Sequence, residues 1–383
     1  MRDIARDGYV PFQWGNFPTY KRRPRPLPSE QVPLFFKKVQ KFINRGYINP
    51  DEPNTERAIT STIDYFAVPK GDTDIRPVFN GTTCGLNAII WAPKFWLPTS
   101  NSMIASLHYN FQVVDMDFGE MFTNFPLHHT LQSVSGIDLS QFRSLLEAHY
   151  PERKPFGQRI LYKWSGAWMG AKPSPYWAAR YYYLMEEFAL GHHQDPNNIF
   201  KWDTVILNLP GSADFNPSLP FVLKWDSVNK MIAATIKAYV DDLRVAAPTR
   251  ELSWQGSRQI ASRIQFLGSQ DASRKRRLDN GPWAGTVFNT ENGEISKTVT
   301  QTKWEKGKAL VQELLDEITA NPDTDFEFKR LERVRGFLCH LAMTFDLLFA
   351  YLKGFNLPLC KHFNKRDEDG WKLTELEWIG FVE

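Results

Sequence analysis

The chain has 383 residues, of which 42% are hydrophobic and 14% aromatic, and its formal net charge at pH 7 is only +3. Such a composition supports a sizeable core in about two to three domains or subdomains and excludes a disordered chain. Three widely spaced cysteines, Cys84, Cys339 and Cys360, exclude a disulfide framework and a CxxC zinc site, and they fit a reducing compartment.

The N-terminus, Met1 to Asp7, has no apolar stretch of the signal-peptide kind, and no run reaches the length of a membrane span. A cytoplasmic or nuclear protein without a membrane partner is therefore expected. Residues 1–30 are rich in Pro and Arg and read as an extended basic arm, densest at Lys21, Arg22, Arg23 and Arg25. Arg274, Lys275, Arg276 and Arg277 form a second basic run. Such runs are either solvated faces or phosphate contacts, because Lys and Arg release counterions from a nucleic-acid backbone. From Ser29 the spacing predicts a helix with Phe36, Val39 and Phe42 or Ile43 inward, and Gly46 as its stop. Residues 62–80 read as two strands joined at Gly71 to Asp74, and residues 111–118 as a strand with Asp115 and Asp117 interleaved. A helix is predicted over Asp138 to His149 and a strand over Gln158 to Trp164.

Ser174 and Pro175 open a strong helix, the Ser as its cap and the Pro in its first turn; it stops at Gly191, with His192 and His193 capping its C-terminus. Residues 194–222, rich in Asn, Pro and Asp, read as a looped insertion, and Met231 to Ile236 as a strand. Capping boxes at Thr302–Glu305 and Thr324–Glu327 start two late helices. The second carries Leu331, Val334, Leu338, Leu341, Phe345 and Leu348 inward and Lys329, Arg330 and Arg333 outward. Helices and hairpins mixed around a central sheet make the class α+β.

Asp241 and Asp242 stand side by side between apolar runs. A hairpin tip explains them without chemistry. A metal site explains them with chemistry, because paired carboxylates repel until a divalent cation neutralises them. Asp115 and Asp117 lie two apart on a strand and project from one face, so either could complete a carboxylate cluster if the two strands are neighbours. Three carboxylates together call for cations, and two Mg2+ ions clamp the attacking and leaving oxygens of an in-line phosphoryl displacement.

Tyr239-Val240-Asp241-Asp242 is similar to the YxDD signature of reverse transcriptases, and other segments follow in that family's order over roughly residues 30–355. Asp117 followed five residues later by Phe122 resembles the first palm motif, a spacing that selects Asp117 over Asp115. The segment from Phe66 through Lys70 to Arg76 resembles the fingers hairpin, and Gly170 to Pro175 the motif in which Ser174-Pro175 starts a helix under template and nucleotide. The segment from Gln265 to Lys275 resembles the one that carries a basic residue near the triphosphate, and Pro282 to Phe288 resembles the primer grip.

The resemblance implies a right-hand polymerase with a ferredoxin-like (split βαβ) palm, β-hairpin fingers and a helical thumb. Its parts would be an arm over 1–30, fingers over 31–110 and 128–168, palm over 111–127 and 169–290, thumb over 291–355 and a tail over 356–383. It implies Asp117, Asp241 and Asp242 as ligands of two Mg2+ ions, with Mn2+ as a substitute, and Lys275 as proton donor to the departing pyrophosphate. Lys70 and Arg76 would hold the incoming triphosphate, Phe122 would bar a 2′-hydroxyl, and Tyr239 and Val240 would lie at the primer end. Trp283 and Gly285 would contact the primer, although a buried core role suits Trp283 equally. Met169 stands where retroviral members carry Gln, and Pro173 replaces a small residue. The implied partners are an RNA or DNA template with its primer, and dNTPs. About thirty residues after the thumb are too few for a ribonuclease H, which would come, like an integrase, from another chain or polyprotein segment. The competing readings are an inert nucleic-acid-binding descendant and an RNA polymerase of the same fold, the latter opposed by Phe122.

Overall fold

The structure, a computed structural model, describes residues 8, 12–217, 219, 221–266, 270–271, 276–278, 281–290, 292–321, 326–356 and 359. In chain order the strands are β1 (Phe12–Gln13), β2 (Ile48–Pro50), β3 (Asp64–Lys70), β4 (Asp74–Asn80), β5 (Ile90–Trp91), β6 (Gln112–Gly119), β7 (Gly136–Asp138) and β8 (Leu161–Trp164). They continue with β9 (Thr204–Leu207), β10 (Val222–Asp226), β11 (Met231–Ile232), β12 (Thr235–Tyr239), β13 (Asp242–Ala247), β14 (Gln270–Asp271), β15 (Val287–Asn289) and β16 (Ser296–Thr298). The longer helices are α1 (Val32–Asn44), α2 (Ser100–Ala105), α3 (His129–Val134), α4 (Arg143–His149), α5 (Ser174–Leu190), α6 (Arg250–Phe266), α7 (Gln301–Ala320) and α8 (Phe328–Ala342). The class is α+β. The chain forms two compact units, one from residues 1–97, 117–189 and 260–273, the other from 98–116, 190–259 and 274–383.

Unit 1 is organised by α1, which has Pro in its first turn and buries Phe35, Phe36, Val39 and Ile43 on one side. The helix begins three residues after Ser29 and ends where Gly46 takes the left-handed region at φ 69°. Phe35 packs on Tyr65 and Phe142 with ring centroids 5.0 and 5.6 Å away. Strands β3 and β4 pair antiparallel from Asp64↔Asn80 to Lys70↔Asp74, as the two apolar runs predict. A second sheet has the order β2-β8-β7. The helix predicted from Asp138 begins late. Asp138 ends β7, and its Oδ1 accepts from the backbone N–H of Ser140 at 2.9 Å, so an Asx turn competes with the first helical turn. Ser174 does not cap α5 either. Its buried Oγ donates to the Trp168 carbonyl at 3.0 Å.

Among the described residues, unit 2 includes two hydrophobic clusters. One gathers Met103, Leu107, Phe111, Val113, Ala246, Trp283 and Phe288 around the β12–β13 hairpin and the start of β6. The other joins α7 and α8 through Leu314, Leu331, Val334, Leu338 and Leu341. Phe345 and Leu348 lie past the end of α8 yet pack on the same cluster. The first late capping box is displaced. Thr300, not Thr302, caps α7 by accepting from the Lys303 N–H, while Glu305 is engaged on the helix surface by Gln301 and Lys308. Thr324 lies outside the described residues, and α8 starts directly after Glu327. The insertion expected to be a loop holds β9, the edge of a three-stranded sheet β11-β10-β9. The run from Met231 to Ile236 is split between two sheets: Ile232 pairs with Trp225 in β10, and Thr235 with Ala246 in β13. The carbonyl of Leu190, at the end of α5, accepts from Asn198 Nδ2 and Trp202 Nε1, so His192 and His193 are not its cap.

Candidate active site

The β12–β13 hairpin is in register at Tyr239↔Asp242, which leaves Val240 and Asp241 as a two-residue turn. Val240 has φ 58°, the sign a type II′ turn requires at its first central residue. Glycine fills that position at no steric expense, whereas a β-branched residue there holds on the order of 1–3 kcal/mol of backbone strain. Asp241 and Asp242 are exposed, although Ala238 and Leu243 on either side are 3% and 0% exposed. Apolar burial of the strands thus carries the turn, and the turn displays the carboxylates.

A second turn holds this tip from behind. Trp283 and Thr286 exchange backbone hydrogen bonds of 2.8 and 3.0 Å around Ala284 and Gly285, whose φ values of 47° and 88° match a type I′ turn. The Trp283 indole N–H donates to the Asp242 carbonyl at 3.1 Å, and its ring meets Tyr239 edge-on at 6.4 Å. Trp283 is 2% exposed, so it serves as a buried anchor for the Asp242 backbone rather than a surface for a primer. Lys303 Nζ lies 3.0 Å from His340 Nε2 and donates to the Gly285 carbonyl at 3.3 Å. Burial, followed by the Lys303 charge, holds the His340 pKa below its ordinary value.

Strand β6 carries two acids with different fates. Arg244, fully buried on β13, grips Asp115 with a two-pronged fork, Nε–Oδ1 2.6 Å and Nη2–Oδ2 2.8 Å, and its Nη2 also donates to the Gly281 carbonyl at 2.7 Å. Its guanidinium lies 5.4 Å from the Phe288 ring centroid. Burial raises the Asp115 pKa more than Arg244 lowers it. Asp115 is therefore committed to an ion pair. Asp117, two residues on and in unit 1, shares its half-exposed face of the strand. Sequence reasoning did not single out Arg244. The signal was present: an Arg inside Leu243-Arg244-Val245-Ala246-Ala247 is a charge in a buried strand and demands a partner.

In unit 1, the β3–β4 register puts Lys70 and Arg76 on one exposed face, opposite the buried Tyr65, Ile75 and Phe79. Asp74, on the same face, pairs with Lys38 at 2.9 Å. Phe122 lies in a 3-10 turn, Met121–Asn124, entered through Glu120 at φ 51°. Glu120 is clamped by Lys41 and Arg45 of α1 and its flank and by the Tyr47 hydroxyl at 2.7 Å. Burial pushes the Glu120 carboxyl up, but these hydrogen bonds and charges outweigh it and hold the pKa below the usual value. Asn124 Nδ2 satisfies the carbonyls of Gly119, Glu120 and Met121. Met169 is 50% exposed, and Gly170 passes so close to β4 that a Cβ would lie 2.1 Å from the Phe79 carbonyl oxygen. Pro175 occupies the second position of α5. Lys275 lies outside the described residues.

Among the described residues, no group of three or more His, Cys, Asp or Glu side chains is gathered as a metal site, and no helix is long and apolar enough to cross a membrane. No family model and no curated protein matches the chain. Among solved structures it is similar to a foamy viral protease-reverse transcriptase, described in complex with double-stranded DNA, at TM-score 0.57 and 12% identity. The match covers 99% of this chain and 50% of that one, so the chain spans about half the viral protein's length. What the two proteins share is a reverse-transcriptase-like fold.

Proposed function

We propose that this chain is a template-directed DNA polymerase of the reverse-transcriptase kind, adding deoxynucleotides to a primer 3′-hydroxyl on an RNA or DNA template. The observation that carries the reading is the strained tip of β12–β13. A valine is held in the left-handed region so that two adjacent carboxylates stand exposed at the end of a buried ladder. A turn with no task would take Gly or Asn there, and strain of this kind collects at functional sites. The fold shared with the viral enzyme supports the same reading.

By the resemblance, Asp117, Asp241 and Asp242 would be the ligands of two Mg2+ ions, although among the described residues no three such side chains are gathered as a metal site. Their hard oxygens suit Mg2+ or Mn2+, and Asp115 is already engaged by Arg244. When bound, such ions would neutralise charge on the attacking and leaving oxygens of the displacement. Lys70 and Arg76, sharing one hairpin face, would take the β- and γ-phosphates, Arg76 through its fork and Lys70 as a point charge. Phe122 would pack against C2′ of the sugar, its turn fixed by the Glu120 clamp. Tyr239 and Val240 would meet the primer end, and Ser174-Pro175 would start the helix under the template. Trp283 would act from behind by fixing the Asp242 backbone.

The test is extension of a DNA primer on an RNA template with Mg2+ and either dNTPs or rNTPs. Extension with dNTPs, lost in Asp241→Asn, is expected. Extension with rNTPs alone would replace the proposal with an RNA polymerase. Template binding that is indifferent to Asp241→Asn, without extension, would replace it with an inert binder.

A further inference from the structure

The basic arm is fixed in unit 1 by its backbone, and its charges are left outward. Arg159, anchored to the buried Asp138 at 2.7 Å, donates from Nη1 to the Lys21 carbonyl and from Nη2 to the Arg22 carbonyl, both at 2.8 Å. Thr62 Oγ1 donates to the same Arg22 carbonyl at 2.8 Å, and Ser61 Oγ to the Tyr20 carbonyl at 3.2 Å. Further on, the Leu27 N–H donates to Gln141 Oε1 at 3.1 Å. Pro24, Pro26 and Pro28 alternate with Arg23, Arg25 and Leu27, which keeps the run extended and rules out helix. Exposure alternates with them: Lys21, Arg23 and Arg25 are exposed, while Arg22 and Pro24 are half-buried. Among the described residues, no acidic side chain neutralises Lys21, Arg23 or Arg25. The same arm shows two aromatic side chains to solvent, Trp14 at 74% and Tyr20 at 69%, and Trp14 stands edge-on to Trp91 at 6.4 Å.

We infer that residues 14–25 form a binding rail for a single-stranded nucleic acid, distinct from the motifs proposed for nucleotidyl transfer. A single file of cations at alternate positions tracks one phosphate backbone, and the exposed rings supply faces on which unpaired bases stack. A duplex presents no free base faces to Trp14 and Tyr20, and a membrane surface calls for a broader basic face than one line. Because Arg159, Ser61 and Thr62 hold carbonyls and not side chains, the rail is formed before the strand arrives, and little ordering opposes binding.

The test measures anisotropy of a labelled oligothymidylate of about 16 nucleotides across a salt series. Replacing Lys21, Arg23 and Arg25 together by Gln should weaken binding about tenfold or more and reduce the log–log salt slope by about 2, three phosphates at roughly 0.7 each. Trp14→Ala with Tyr20→Ala should weaken binding about tenfold while leaving that slope unchanged. Blunt duplex should bind the Gln variant as it binds the parent. An unchanged slope in the Gln variant, or binding to phosphatidylserine vesicles without binding to the oligonucleotide, overturns the rail. Should the triple variant fail to fold, Arg23→Gln alone should lower the slope by about 0.7, and an unchanged slope overturns the rail equally. A protein that never extends a primer yet shows these losses ends the polymerase reading and keeps the rail. A polymerase whose oligonucleotide affinity ignores the Gln variant ends the rail alone.

Discussion

Two antiparallel hairpins carry most of the proposed chemistry, one in each unit, and they are built in opposite ways. In unit 1, β3–β4 is a two-stranded sheet by itself, with Gly71 at its tip in the left-handed region at φ 65° and an exposed outer face. In unit 2, β12–β13 is buried from residue 235 to 238 and from 243 to 247, and a valine takes the left-handed position. A glycine tip is relaxed and leaves its side chains room to adjust, which suits gripping a substrate that comes and goes. A valine tip persists only because its surroundings dictate it, which suits carboxylates whose placement must not drift. The sharpest way to break this contrast is kinetic. Asp241→Asn or Asp242→Asn should lower kcat for primer extension about 10³-fold with the melting temperature intact. Lys70→Ala or Arg76→Ala should instead raise KM for dNTP about 10- to 100-fold, the loss of one charge-assisted contact. A Lys70→Ala enzyme with normal KM and depressed kcat would remove the division of labour.

The next largest effect concerns what fixes the second hairpin. Arg244→Met leaves Asp115 with its carboxyl buried and no guanidinium to meet it, and should destabilise the protein by about 3–5 kcal/mol in denaturant unfolding. Arg244→Met combined with Asp115→Leu removes both charges and should recover most of that loss. If the double variant is as unstable as the single one, the pair is not the clamp that its geometry implies.

How far these features were legible in the sequence depended on whether they are local. The β3–β4 hairpin, α1 and the inward face of α8 as far as Leu341 follow from period and turn residues alone, and to that extent they form as read. The carboxylate turn was legible as a turn because Asp241 and Asp242 interrupt apolar runs. Its strain was not, because which residue takes φ > 0 depends on register. The Asp115–Arg244 pair joins positions 129 residues apart, and no spacing rule reaches that far. Local capping was misread for a similar reason. Ser174 and Thr302 have the residue types of caps, but Trp168 claims the first and Thr300 outcompetes the second. Strand β9 escaped notice because all four of its residues are exposed, so it lacks the alternation by which strands are recognised.

Exchanging the tips gives a smaller and mirror-image pair of effects. Val240→Gly releases a strained backbone and should stabilise the protein by about 1 kcal/mol, offset in part by glycine's greater freedom in the unfolded chain. It should also slow extension, since the carboxylates lose their fixed support. Gly71→Ala meets no neighbour with its new Cβ, so only the left-handed conformation opposes it, by about 1–2 kcal/mol. Thermal unfolding of the two variants should therefore move in opposite directions. A common direction would mean that the valine is not strained in place.

The smallest effect lies behind the second hairpin, in the contact that steadies the Trp283 turn. His340 accepts from Lys303 only as the neutral imidazole, and Lys303 in turn holds the Gly285 carbonyl. Burial and the Lys303 charge lower the His340 pKa below its ordinary 6.5, so the folded state binds fewer protons than the unfolded state between the two values. Stability from this group is then complete above about pH 6.5 and is lost as pH falls through the folded value. The melting temperature should decline gently as pH falls below about 6.5, a window that opens well above that of the carboxylates. His340→Gln removes the titrating group, keeps a hydrogen-bonding side chain and should flatten that decline. Among the described residues, nothing lies within 4 Å of where a Gly71 Cβ would stand, so this dependence belongs to the second hairpin's surroundings. A decline of the same slope in His340→Gln would mean that the Trp283 turn, and with it the Asp242 backbone, is steadied by something other than this pair.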